Sequence, residues 1–145
     1  MPEGVCVSKL RILLADDNSA VLDQVSRALA KEYEVIAALK EGHAVVKECL
    51  RQEPDVVILD ISIGDVSGID LARELRDAGC RSRVVFLTVH EDYDFVNAAL
   101  STGALAYVVK SRLSADLVSG IEAAMAAKLF LSSSLMYQQK QEKVF

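Results

Sequence analysis

Val56-Val57-Ile58-Leu59 is a run of four apolar residues, three of them β-branched, that closes on a single acid, Asp60. A continuous apolar run of this length suits a strand covered on both faces, as in a parallel sheet. Four more short runs flank it: Ile12-Leu13-Leu14-Ala15, residues 33–37, Val84-Val85-Phe86-Leu87 and residues 105–109. Of these, Tyr33-Glu34-Val35-Ile36-Ala37 is the least apolar and suits an edge position.

Helical spacing fills the intervals. Val21/Leu22, Val25 and Ala28/Leu29 step along one face of a first helix. Val45/Val46 with Cys49/Leu50 mark a second, which takes in His43, and Ile69, Ala72 and Leu75 mark a third that stops near Gly79. A fourth runs from about residue 92 to 102 and ends at Gly103, since glycine suits a left-handed cap. Ser114 is read as the N-cap of a fifth, with Leu117, Ile121 and Ala124/Met125 on its apolar face. Strands alternating with helices imply an α/β fold: a doubly wound, five-stranded parallel sheet flanked by five helices and joined by right-handed crossovers.

The chain has 145 residues, 52% of them hydrophobic and 26% charged, enough for one domain with a real core. Its expected division is an N-terminal extension over 1–9, a folded domain over 10–131 and a C-terminal tail or linker over 132–145. A net charge of −5, with no dense Lys/Arg run, argues against direct nucleic-acid binding by this segment. No run approaches the ~20 apolar residues that span a bilayer. Arg11, Asp16 and Asp17 interrupt anything like a signal peptide, so the expected location is cytoplasmic. Cys6, Cys49 and Cys80 lack metal-ligand spacing, and Cys49 reads as a small core hydrophobe.

In an open parallel sheet, ligands bind beyond the carboxyl ends of the strands. Asp16 and Asp17 follow the first run, Asp60 the third, Thr88 the fourth and Lys110 the fifth. Three converging carboxylates repel one another unless a cation joins them, and a hard divalent ion such as Mg2+ suits an all-oxygen donor set. Lys110 would hold a phosphate oxygen and Thr88 would donate to another. Asp60 is then placed to attack phosphorus.

The segments Ile12-Leu13-Leu14-Ala15-Asp16-Asp17, Val56-Val57-Ile58-Leu59-Asp60, Leu87-Thr88 and Tyr107-Val108-Val109-Lys110 resemble the receiver domain of bacterial two-component response regulators, a flavodoxin-like fold. Asp60-Ile61-Ser62, Ser67-Gly68 and Thr88-Val89-His90 resemble the subgroup that usually carries a C-terminal helix-turn-helix DNA-binding domain. The resemblance covers about residues 10–131. It implies Asp60 as phosphoacceptor from a sensor histidine kinase, and Mg2+ held by Asp16, Asp17, Asp60 and the Ser62 backbone carbonyl. It implies phosphoryl contacts from Thr88 and Lys110, and a switch through Thr88 and Tyr107. Ser62 and His90 stand where dephosphorylation would be tuned, although His90 is read as a solvent-facing loop residue.

An output surface near the fourth helix, fifth strand and fifth helix is expected, with a homodimer there or through the fifth helix. That surface would control an attached or partner transcription-regulating domain. Two departures from the family pattern are Gly64-Asp65, where proline is common and a looser, more acidic loop is expected, and Ser111 in place of a proline after Lys110. The chain is not expected to be an enzyme beyond assisting its own phosphotransfer and dephosphorylation. A magnesium phosphohydrolase would need a second acid at Ser62. The remaining alternatives are a free-standing receiver that acts by protein contacts and a degenerate, unphosphorylated binding module.

Overall fold

A computed structural model of the chain describes residues 9–132 and Leu135. Cys6, most of the N-terminal extension and the polar run 138–143 lie outside the described residues.

The five expected strands form in order: β1 (Leu10–Ala15), β2 (Tyr33–Leu39), β3 (Val56–Leu59), β6 (Arg83–Thr88) and β7 (Ala106–Val109). Between β3 and β6 lies a small hairpin of β4 (Ser62–Ile63) and β5 (Val66–Ser67). The helices are α1 (Ser19–Leu29), α2 (Val45–Gln52), α3 (Gly68–Asp77), α4 (Tyr93–Leu100) and α5 (Leu113–Met125). A sixth strand of the main sheet, β8 (Phe130–Leu131), follows α5, so the order is β2-β1-β3-β6-β7-β8, parallel throughout. β7 is therefore an interior strand, and the main sheet has six strands where five are expected.

The continuous apolar runs are explained by two cores, one on each face of the sheet. Leu13, Val57, Leu59, Phe86 and Tyr107 point to the side of α2, α3 and α4. Ile12, Leu14, Ile58, Val85 and Val108 point to the side of α1 and α5. Successive strand residues face opposite ways, so a strand buried on both sides has no polar alternation to show.

The cap of α1 is Asn18, whose side chain accepts from the N–H groups of Ala20 and Val21. Two other helix starts differ from expectation. Ser114 lies inside the first turn of α5, because a 3₁₀ turn over Lys110–Arg112 carries the chain directly into the helix. His43 belongs to a 3₁₀ turn (Gly42–Ala44) ahead of α2. Gly79 and Gly103 do end their helices with positive φ, +77° and +95°. Among the described residues no peptide bond is cis, that after Lys110 included, and no helix is long and apolar enough to cross a membrane.

Candidate functional site

The strand order reverses between β1 and β3, and the crevice beyond their carboxyl ends is where a doubly wound sheet binds its ligand. Asp16 and Asp17 leave β1 there, and Asp60 leaves β3. Carboxylate oxygens of all three lie within 4.8 Å of one another. Asp16 and Asp60 are buried, at 4% and 6% exposure, whereas Asp17 is exposed.

Each acid is held by a backbone N–H. Asn18 donates to Asp16 Oδ1 at 2.9 Å, Ile61 donates to Asp60 Oδ1 at 2.6 Å, and Gly64 donates to Asp17 Oδ2 at 3.1 Å. Lys110, at the end of β7, brings its ammonium to 2.8 Å from both Asp16 Oδ2 and Asp60 Oδ2. With Asp60 it makes a directed hydrogen bond; toward Asp16 Oδ2 the contact is that of an ion pair. Burial works against the Lys110 charge, but the two carboxylates outweigh it and its pKa rises. Burial also raises the pKa of Asp16, against the opposing pull of Lys110 and the Asn18 N–H.

The donor set fits a hard divalent cation. Three carboxylates face one ammonium, so two negative charges stay uncompensated, and every available ligand atom among the acids is oxygen. Ser62, two residues beyond Asp60, opens β4 with its side chain exposed.

Thr88 ends β6 fully buried, and its Oγ1 accepts a long 3.4 Å hydrogen bond from the His90 N–H. Tyr107, on neighbouring β7, is also fully buried, and its hydroxyl donates to the His90 carbonyl at 2.7 Å. The two expected switch residues are thus joined through the backbone of one residue, His90, by its N–H and its carbonyl. His90 is not simply solvent-facing: its ring is half-buried and packs against Phe95 with centroids 4.4 Å apart. The Tyr107 phenol pKa is pushed up, chiefly by burial and then by the charges of Asp60, Asp92 and Glu91.

The loop beyond Asp60 is a two-residue hairpin rather than an open loop. Gly64 takes φ +63° between the paired Ile63 and Val66, and its N–H is the one that holds Asp17. Glycine at the first linking position is the chemistry of a type II′ hairpin. Asp65 turns outward and lies 3.4 Å from His43 Nε2.

Gly68 is a site residue whose role the sequence reading did not find. Its N–H donates to the Ile61 carbonyl at 2.6 Å, and a side chain on it would overlap the Asp60 carbonyl oxygen. The available signal was a Ser-Gly pair opening an apolar helical pattern, with Ser67 accepting from the Asp70 N–H as the α3 cap. Cys49 is a fully buried core side chain, as its spacing suggested; burial, with smaller contributions from Cys80 and Glu48, pushes its thiol up to about 12.

Residues 12–122 match the response regulator receiver domain family. The transcriptional regulatory protein DegU of Brevibacillus brevis is 31% identical over 124 residues, which cover 84% of this chain and 52% of that protein. PdtaR of Mycobacterium tuberculosis, also a transcriptional regulatory protein, is 32% identical over 117 residues, 80% of this chain and 57% of its own length. The chain therefore spans little more than half the length of these relatives. A LuxR-family two-component response regulator from Aurantimonas sp. SI85-9A1 superposes with a TM-score of 0.89 at 28% identity, covering 95% of this chain and all of that one.

Proposed function

The chain belongs to the response regulator receiver family, and we propose that it accepts a phosphoryl group on Asp60 from the phosphohistidine of a sensor kinase. The observation that carries this reading is the convergence of Asp16, Asp17 and Asp60 within 4.8 Å, with the Lys110 ammonium 2.8 Å from two of them.

An oxygen of the Asp60 carboxylate forms the new bond to phosphorus while the bond from phosphorus to the donor's imidazole nitrogen breaks. The electron pair leaves on that nitrogen, and the product is an aspartyl phosphate. Asp16, Asp17 and Asp60, with the Ser62 backbone carbonyl, are the residues that would hold Mg2+. Bound there, the ion would supply charge neutralisation for the transferring group. Lys110 supports the reading because its ammonium already stands against Asp60, where it can hold an oxygen of the incoming phosphoryl group.

Thr88 completes the site by turning its hydroxyl toward a phosphoryl oxygen. That turn withdraws it from the His90 N–H and biases the position of Tyr107. Ser62, two residues beyond Asp60, and His90, two beyond Thr88, are the positions assigned to tuning the lifetime of the acyl phosphate.

Residues 10–131, with Ser132 and Leu135 packed onto them, act as the receiving unit, whose output is an attached or partner transcription-regulating domain. Relatives that are transcriptional regulators and longer than this chain support that output.

Intact-mass measurement after incubation with Mg2+ and acetyl phosphate tests the chemistry. One phosphoryl group is expected on the native chain, none on Asp60→Asn, and none once Mg2+ is chelated. An adduct that persists on Asp60→Asn, or its absence from the native chain incubated with both Mg2+ and donor, would overturn the reading.

A further inference from the structure

The outer edge of β7 is occupied by the chain itself. The Phe130 N–H donates to the Leu105 carbonyl at 2.7 Å, and the Ser132 N–H donates to the Tyr107 carbonyl at 3.1 Å. The Ser132 hydroxyl in turn accepts from the Val109 N–H at 3.0 Å. One fully buried serine therefore brackets Val108, bonded to the residue on either side of it. Those two neighbours are the switch tyrosine and the residue that precedes the site lysine.

Apolar contacts extend the same attachment. Leu131 and Leu135, 6% and 3% exposed, belong to one buried cluster with Tyr107, Val96 and Ala99. Tyr107 is fully buried within it, and its hydroxyl reaches inward to the His90 carbonyl. The ring cannot swing outward past β7 while that cluster is closed around it. Close packing leaves no room for both arrangements.

We propose that Phe130, Leu131, Ser132 and Leu135 form an intramolecular clasp on the β7 edge that holds Tyr107 in its inward position, so that the phosphoryl group and the clasp stabilise the same state. The proposal rests on the reading of Asp60 as phosphoacceptor. When the Thr88 hydroxyl turns to a phosphoryl oxygen, it vacates volume beside Tyr107. An inward ring fills that volume, whereas an outward ring leaves a void. The inward ring shares its buried cluster with Leu131, its register partner on β8, and with Leu135, so phosphorylation tightens this attachment. The edge that would otherwise accept a partner strand is then taken by this chain's own segment.

Linkage makes the proposal testable from both ends, because two events that favour one state must strengthen each other equally. The probe is beryllofluoride with Mg2+, a phosphoryl mimic, applied to the full chain. In the native chain it should slow hydrogen exchange of the Phe130, Ser132 and Val109 amides. Ser132→Ala and, separately, Leu135→Ala should each weaken beryllofluoride binding about three- to tenfold while leaving binding of Mg2+ alone unchanged. The two variants act through different contacts, so misfolding of one leaves the other as the test. Beryllofluoride binding without any change in those amides, or with equal affinity in a folded variant, would overturn the clasp and leave the phosphoacceptor reading standing. Failure of the native chain to bind beryllofluoride in the presence of Mg2+ would instead overturn the reading on which the clasp rests.

Discussion

At Gly68 the first turn of α3 runs so close to the Asp60 carbonyl oxygen that a methyl group on its Cα would overlap that atom and stand 3.2 Å from the Ile61 Cα. Neither neighbour is a flexible side-chain end, so the backbone that carries Asp60 has to move. Gly68→Ala should lower stability by about 1–3 kcal/mol, the usual range for overpacking, read as a lower midpoint in urea. It should also slow phosphoryl uptake from acetyl phosphate by roughly ten- to a hundredfold, because the reacting carboxylate is displaced relative to Lys110. Gly64 is the contrast. Its φ of +63° disfavours a side chain, but nothing lies within 4 Å of where a Cβ would stand. Gly64→Ala should therefore cost only about 1 kcal/mol, through backbone strain. Equal losses of stability in the two variants would show that steric support of Asp60 is not what requires glycine at 68.

Among the elements, α1 depends on a cap that stands directly after the two acids of the site. The Asn18 side chain accepts from Ala20 and Val21 at 2.9 and 3.3 Å, and there is no acid in the first turn to help. Asn18→Ala should cost about 1 kcal/mol and lower the thermal midpoint by about 3–5 °C, measured by calorimetry. No change in midpoint would mean that water caps the helix equally well. That cap also shows where the sequence was and was not legible. Asp16, Asp60, Thr88 and Lys110 could be placed because each ends an apolar run, and a parallel sheet brings all such ends to one edge. Asn18 was harder to find, because an acid and an amide compete equally for a helix start and only backbone geometry decides between them. Ser114 misled for the same reason, since the turn at Lys110–Arg112 had already started the helix. β8 has two residues and no periodicity; its pairing follows from where α5 returns the chain, which no local pattern records. The tightness of the 62–67 hairpin was hidden likewise, because the Gly64 N–H finds its partner 47 positions away at Asp17.

For the molecule as a whole, the site is a local excess of negative charge held in place by the fold. Three carboxylates within 4.8 Å face one ammonium, and two of those carboxylates are almost fully buried. In the absence of a cation the fold must hold this repulsion; the pKa of Asp16 is raised chiefly by burial, with the neighbouring Asp60 charge adding the smallest contribution. A ligand that binds the assembled cluster, and not the unfolded chain, stabilises the native state by mass action. At a Mg2+ concentration about a hundredfold above its dissociation constant the gain is about 2.7 kcal/mol. For a chain of this size that is an upward shift of roughly 5–10 °C in the thermal midpoint. Asp17→Asn separates the two contributions. It keeps an oxygen able to accept from the Gly64 N–H but removes one of the three charges. The variant should therefore melt above the native chain in chelator and lose most of the Mg2+-dependent rise. Scanning calorimetry of both proteins, with Mg2+ and with chelator, checks the pair of shifts. If Asp17→Asn keeps the full Mg2+ response, the ion is held without Asp17. If it melts below the native chain in chelator, the acids are not in net repulsion and the cation is not what the cluster lacks.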